Sequence, residues 1–259
     1  MTKESTKVVK RVNIVALLKQ FSTIYKKQGF MFLSAYLVTA LNDTYVKKHI
    51  HGSHSQKGED LIIDKILGNI KKGFYIDVGA HNPNIFNNTK RFYMRGWSGI
   101  NIEPNPVLFK EFVRQRKRDT NLNIGIKKKS GRAQFYEFVS DGLSTFSKDE
   151  VKKNTQLGYK LKQERELRVD SLKNVIEEHG KANIDFISID TEGLDFEVLE
   201  SNDWKKFRPT VVCIETGDFN SMITGKGSNK KKLIDSFLTK KGYKQYYDNG
   251  LNTIYKNNE

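Results

Sequence analysis

An α/β fold built on a doubly wound, mostly parallel sheet is predicted by three observations. Short apolar runs alternate with amphipathic stretches along most of the chain. Two runs frame a glycine turn: G-F-Y-I-D-V-G-A-H-N-P-N at 73–84 and W-S-G-I-N-I-E-P at 97–104. Four runs end on an acid, at Asp77, Glu103, Asp190 and Glu215. Sheets of this kind bind ligands at the carboxyl ends of their strands.

The chain of 259 residues suffices for one large domain plus an extension, and a hydrophobic content of 37% supports a packed core. The lone cysteine, Cys213, lies within V-V-C-I and reads as a core residue. It cannot form an intramolecular disulfide, so a reducing, cytoplasmic setting is expected. The net charge of +15 points to an anionic partner or to a lysine-rich composition alone. Candidate partners are nucleic acid, acidic glycan, a phospholipid surface and a carrier polyphosphate. The lysines are scattered, which leaves both readings open.

Residues 1–54 read as a helical extension and linker, and 55–259 as the main domain. No apolar core with a cleavage site follows the basic start, so no signal peptide is expected. Val12, Val15 and Leu18 recur at helical spacing. The run 30–41 is strongly apolar but short of the about 20 residues a membrane span needs. It reads as a helix packed on the domain or on a second subunit, which would make a homo-oligomer. The alternative is an interfacial helix, peripheral at a membrane, with Lys26, Lys27, Lys47 and Lys48 near headgroups. His49, His51 and His54 sit in a polar linker whose spacing matches no standard zinc pattern.

An amphipathic helix from L-I-I-D-K-I-L should cover the first strand, 74–78. A helix should follow the glycine turn directly, and then the second strand, 99–102. The pattern continues with a helix over 105–118, a third strand over 122–126 and a fourth over 134–139. A hydroxyl-rich turn follows at 141–146. Residues 147–164 are polar and charged, a candidate substrate lid. A short edge strand is expected at 167–170. Ser171 should cap a helix over 172–179. A central strand at 184–190 and a helix at 194–200 come next, then a buried strand at 210–215. A helix at 229–241 and a hairpin around D-N-G-L-N close the chain.

The turn after the first strand lacks the second and third glycines of G-x-G-x-x-G, which argues against a pyrophosphate there. Asp77, two residues before Gly79, suits a ligand bearing a positive methionyl amine. Glu103 is placed to hold ribose hydroxyls. Together they favour S-adenosylmethionine over a nicotinamide dinucleotide.

With further motifs, the chain resembles the FkbM family of S-adenosylmethionine-dependent methyltransferases. These are S-Q-K-G-E-D (55–60), N-N-T (87–89), G-L-S-T-F (142–146), R-V-D-S-L (168–172) and I-S-I-D-T-E-G-L-D-F-E-V-L (187–199). The resemblance spans about 55–215. It implies a class I methyltransferase fold and usually O-methylation of sugars or other metabolite hydroxyls. It puts Asp77, Gly79 and Glu103 on the cofactor, with Ala80 and Pro104 beside them, and Asp190 and Glu192 on the reaction side. Asn123 and Ser144 are expected near the cofactor, and Gln56 and Glu59 near its methionine end. Two positions depart from the family pattern. Ser188 stands where lysine is common, and Asn123-Ile124-Gly125 replaces N-x-A.

Methyl transfer needs alignment of donor and acceptor and removal of a proton. Asp190 and Glu192 are the expected base, or ligands with Glu215 for Mg²⁺ or Ca²⁺. The alternative is that Asp190 merely caps the following helix. His81 is a rival base with a suitable intrinsic pKa. An RNA methyltransferase is the weaker alternative, because no aromatic-basic interleaving is seen. A non-catalytic interaction protein keeping the fold is the third reading.

Overall fold

The computed structural model describes residues 52–181, 183–217 and 229–258. The expectations for residues 1–51, including the two N-terminal helices, His49 and His51, lie outside the described residues.

A seven-stranded sheet organises the domain. Its strands are β1 (Phe74–Val78), β2 (Ser98–Ile102), β3 (Thr120–Leu122), β7 (Phe186–Ile189), β8 (Val211–Glu215), β9 (Tyr243–Asp248) and β10 (Asn252–Asn257). The spatial order is β3-β2-β1-β7-β8-β10-β9, and β10 runs antiparallel to both of its neighbours. The other pairings among β1, β2, β3, β7 and β8 are parallel. Chain direction across the sheet reverses between β1 and β7, so the binding crevice is expected at their carboxyl ends.

The central strands are near-continuous apolar runs because both faces are covered. Side chains alternate between the faces. Tyr75, Phe186, Val211, Cys213 and Ile254 pack with Ile63 and Leu67 of α1 (Glu59–Leu67) and with Phe92 of α2 (Lys90–Met94). Ile76, Val78, Ile187, Ile189 and Val212 face the other core. There they meet Val175 and Ile176 of α5 (Leu172–His179), Val198 and Leu199 of α6 (Asp195–Glu200), and Ile234 and Leu238 of α7 (Asn229–Lys240). Each large apolar side chain buried this way stabilises the fold by about 1.5–3 kcal/mol. Helix α3 (Pro106–Gln115) starts where Asn105 Oδ1 accepts from the Val107 amide, with proline in the first turn. Ser171 Oγ accepts from the Asn174 amide, the cap its position suggested.

Three expectations need correction, and the candidate lid takes a definite form. The third strand splits: β3 joins the large sheet, while β4 (Gly125–Ile126) leaves it for a second sheet ordered β4-β6-β5. The break falls at Asn123, whose side chain is drawn to neighbouring backbone. The short edge strand is instead the second half of β6 (Leu161–Asp170), ten residues long and central in the small sheet beside β5 (Gly131–Phe138). The polar stretch proposed as a lid holds helix α4 (Lys148–Gln156), capped by Ser147 Oγ on the Glu150 amide, and the start of β6. No helix follows the glycine turn directly; α2 begins only at Lys90, after a loop braced by side-chain bonds.

Candidate functional site

The site lies at the carboxyl ends of β1, β2, β7 and β8. Asp77 is buried near the end of β1. Its Oδ2 accepts from Thr89 Oγ1 at 2.9 Å and Asn87 Nδ2 at 3.2 Å. Asn87 is held in turn by fully buried Arg116, which donates to Asn87 Oδ1 at 2.8 Å and to the Pro83 carbonyl at 2.8 Å. Burial raises the Asp77 pKa to about 6, against the lowering effect of the Thr89 and Asn87 bonds and the Arg116 charge.

Gly79 turns the chain at a φ of 75°. A Cβ there would stand 1.8 Å from the Asp190 carbonyl oxygen, so only glycine lets the two loops meet. The amides of Gly79 and Ala80 both donate to the Ile102 carbonyl, at 3.0 and 3.1 Å. These N–H groups are therefore committed to the second strand. His81 follows at a φ of 53°, uncommon for a residue with a side chain. Its amide donates to Glu103 Oε2 at 2.7 Å, and the Asn105 amide donates to Glu103 Oε1 at 2.7 Å. Burial still carries the Glu103 pKa up to about 7. The His81 ring is pulled down by burial, but its bond to Asp141 (3.2 Å) and that carboxylate's charge prevail, and its pKa rises.

On the reaction side, Asp190 ends β7, and its amide donates to the Val78 carbonyl at 3.0 Å. Its Oδ1 is buried with no hydrogen-bond partner among the described residues. The alternative role of Asp190 as a helix cap is not seen, since α6 carries no side-chain cap bond; Asp195 Oδ1 instead accepts from the Thr191 amide of the preceding turn at 2.8 Å. Glu192 sits at a φ of 51°, held by Thr145 Oγ1 donating to its carbonyl at 2.8 Å. Of the three non-glycine residues with positive φ among the described residues, His81 and Glu192 belong to this site; the third is Phe86. Strained backbone of this kind persists only where its surroundings hold it.

Oxygens of Asp190, Asp195 and Glu215 lie within 4.8 Å of one another. This triad differs from the expected one: Asp195 stands where Glu192 was expected, with its Oδ1 held by the Thr191 amide. Lys230, from the first turn of α7, reaches Glu215 Oε2 at 2.6 Å and Asp195 Oδ2 at 2.7 Å. Burial raises the pKa values of Asp190 and Glu192 well above the carboxylate range, and the neighbouring Glu215 charge adds to it. Glu215 is raised to about 7 by burial, with Lys230 pulling the other way.

Three of the residues expected at the cofactor make bonds within the protein, and a fourth is exposed. Both amide hydrogens of Asn123 go to backbone, to the Glu103 and Pro104 carbonyls at 2.8 Å each. Ser144 Oγ accepts from the Phe138 amide. Glu59 is buried with its carboxylate on Asn249, Asn252 and the Lys57 amide, tying α1 to the closing hairpin. Gln56 is exposed. The residues unnoticed in sequence are Arg116, Asp141, Asp195 and Lys230. Asn87 and Thr89 stood within N-N-T, and Asp195 within the I-D-T-E-G-L-D motif. Lys230 lies in N-K-K-K, where nothing separates it from its neighbours.

A seven-stranded sheet with this strand order, one antiparallel strand and acids at the ends of its first two strands is a class I methyltransferase fold. Residues 77–244 match the Methyltransferase FkbM domain, well over half of the chain, and the chain belongs to that family. It is thus a methyltransferase of the S-adenosylmethionine-dependent class. No curated protein matches it. Among solved structures, a Staphylococcus aureus protein proposed to be a caffeoyl-CoA O-methyltransferase is similar at 12% identity. That alignment covers 93% of this chain and 99% of that one, with a TM-score of 0.43. The methyltransferase domain of METTL16 is similar at 11% identity, over 77% of this chain and 66% of that one, with a TM-score of 0.40. A precorrin-6y C5,15-methyltransferase of Geobacter metallireducens is similar at 10% identity, over 78% and 89%, with a TM-score of 0.35. The fold assignment rests on the strand order and not on these likenesses.

Proposed function

We propose that the protein moves the methyl group of S-adenosylmethionine to a hydroxyl of a sugar, a glycan or another small metabolite. The observation that carries this reading is the contact between the two turns. Gly79 lies against the Asp190 carbonyl, and the Asp190 side chain keeps one buried oxygen without a partner among the described residues. A cofactor held by the first turn would supply a transferable methyl group near the carboxylate on the second.

In this reading Glu103 holds the ribose hydroxyls, and Asp77 faces the positive methionyl end. Gly79, Ala80 and Pro104 shape the wall between them. When bound, S-adenosylmethionine would supply an electrophilic methyl group for the acceptor oxygen, with the C–S electron pair leaving on sulfur. The hydroxyl proton passes to Asp190, with Glu192 beside it. A carboxylate whose pKa lies above the usual range is a stronger base once ionised, which suits this task. His81 fits the base role less well, since its Nε2 is engaged with Asp141. It supports the cofactor turn through its amide instead.

The acceptor side is acidic: it holds Asp190, Glu192, Asp195 and Glu215, and Lys230 pairs with the last two. Neutral or amine-bearing hydroxyl compounds suit it better than polyanions, and this disfavours RNA. The surplus lysines elsewhere remain candidates for an anionic surface, a membrane included. No helix among the described residues is long and apolar enough to cross a membrane.

The test is a screen with methyl-labelled cofactor against sugars, cell-surface glycans, amines and RNA, run at two salt concentrations. Label in a hydroxyl-bearing small acceptor is expected. Label in RNA alone, weakened steeply by salt, would reject the reading. With the acceptor in hand, Asp190→Asn should lower turnover by about 10²–10⁴-fold while cofactor affinity stays nearly unchanged. Normal turnover in that variant would dismiss Asp190 as the base.

A further inference from the structure

We propose that Lys230 is the resident cation of the carboxylate cluster at the ends of β7 and β8, a positioning residue that stands where a divalent metal ion would otherwise sit. This rests on the methyltransferase reading above, and it replaces the expected Mg²⁺ or Ca²⁺ with a side chain of the chain itself.

Three acids whose oxygens lie within 4.8 Å of one another have a spacing that a hard cation could use. Two of the three are already taken. Lys230 Nζ stands 2.7 Å from Asp195 Oδ2 and 2.6 Å from Glu215 Oε2. Asp195 is fully buried and its other oxygen caps the turn at Thr191, so it has no freedom to swing toward a metal. A metal ion would have to displace the ammonium and then stand beside it, like charge against like charge.

The placement of Lys230 is not explained by its own helix. It lies in the first turn of α7, in a run of three lysines with no acid in that turn. Cations are disfavoured at this positive end of a helix. The contacts that compensate are those to Asp195 and Glu215. Of the triad, Asp190 alone has no contact with Lys230 within ion-pair distance among the described residues, and its buried Oδ1 is left for the acceptor. Lys230 thus holds two acids still and removes part of their repulsion, so that the third can take a proton.

Mn²⁺ is the probe, titrated by calorimetry and electron paramagnetic resonance into the full-length wild type, Lys230→Met, Lys230→Arg and Glu215→Gln. The wild type and Lys230→Arg should show no Mn²⁺ site that Glu215→Gln removes. Lys230→Met should gain Mn²⁺ affinity by about tenfold or more, because Asp195 and Glu215 lose their counter-charge beside Asp190. Adding Glu215→Gln to that variant should abolish the gain. A wild-type Mn²⁺ site lost in Glu215→Gln overturns the proposal, as does a folded Lys230→Met that gains nothing. Should Lys230→Met fail to fold, the wild-type and Lys230→Arg titrations still decide by the same criterion. S-adenosylmethionine is titrated into the wild type in parallel. Absence of cofactor binding would reject the methyltransferase reading and leave the Mn²⁺ outcome legible.

Discussion

Gly79→Ala tests whether the cofactor turn and the reaction turn depend on each other. Gly79 has a φ of 75°, and a non-glycine residue there costs roughly 1–2 kcal/mol. The added Cβ would also stand 1.8 Å from the Asp190 carbonyl oxygen and 2.8 Å from its carbon. No rotamer relieves this, because both partners are backbone. One loop must move by more than an ångström, at a further cost of about 1–3 kcal/mol. The total of about 2–5 kcal/mol corresponds to a fall in Tm of about 5–15 °C for a domain of this size. Gly158→Ala is the matched control. It has a φ of 87° and nothing within 4 Å of the added carbon, so it should show the conformational part alone, about 1–2 kcal/mol. Thermal unfolding of both variants, with calorimetric titration of S-adenosylmethionine, reads the difference. Gly79→Ala should also lose most of its cofactor affinity, while Gly158→Ala keeps it. Equal Tm shifts with undiminished cofactor binding in Gly79→Ala would refute the reasoning.

The remaining expectations concern the buried polar network. Arg116→Met should destabilise by about 3 kcal/mol in urea unfolding, because it strips Asn87, the Pro83 carbonyl and the Tyr75 hydroxyl of a buried donor; a change under about 1 kcal/mol would show that Arg116 is dispensable. Glu103→Gln should weaken cofactor binding and also lower stability by about 1–3 kcal/mol, since the two carboxylate oxygens accept from the His81 and Asn105 amides and a carboxamide keeps only one acceptor, leaving one of these N–H groups facing an NH2. Cofactor binding should release protons. Burial raises Asp77 to about 6 and Glu103 to about 7, so both are partly protonated below neutrality, and a positive ligand favours their ionised forms. Affinity should rise with pH up to about 7 and then level; calorimetry near pH 6 in two buffers of different ionisation heat checks this, and a proton count of zero contradicts it. The same shifts carry a stability term of definite sign. The folded apo-protein binds more protons than the unfolded chain between the ordinary carboxylate range and about 7, so this term is full at low pH and is lost as pH rises through that window. Unfolding measured with and without cofactor across the window should show the loss only without it.

Much of the fold was legible because strand and helix periods and strand-end acids are local signals. The runs at 74–78, 99–102 and 210–215 were read almost to the residue, since strands buried on both faces must be apolar throughout. The small sheet was not legible. Asn123 and Gly125 sit in one apolar-looking run, yet the chain changes sheets between them, because the Asn123 amide is spent on two backbone carbonyls of the Glu103–Pro104 segment. Strand β6 escaped because its first half alternates charged residues over an exposed face.

For the site, the sequence by itself determined the acids and the glycine that meet at the sheet edge. Asp77, Gly79, Glu103, Asp190 and Glu215 follow from their places at strand ends, which the alternation of strand and helix dictates. Tertiary structure alone decided which groups those acids pair with. It turned Asp195 rather than Glu192 into the triad, committed Glu59 and Asn123 to bracing, and brought Lys230 to Asp195 and Glu215 from a helix far along the chain. Spacing along a strand is a local property, but the partner of a buried charge is set by whichever distant segment packs over it.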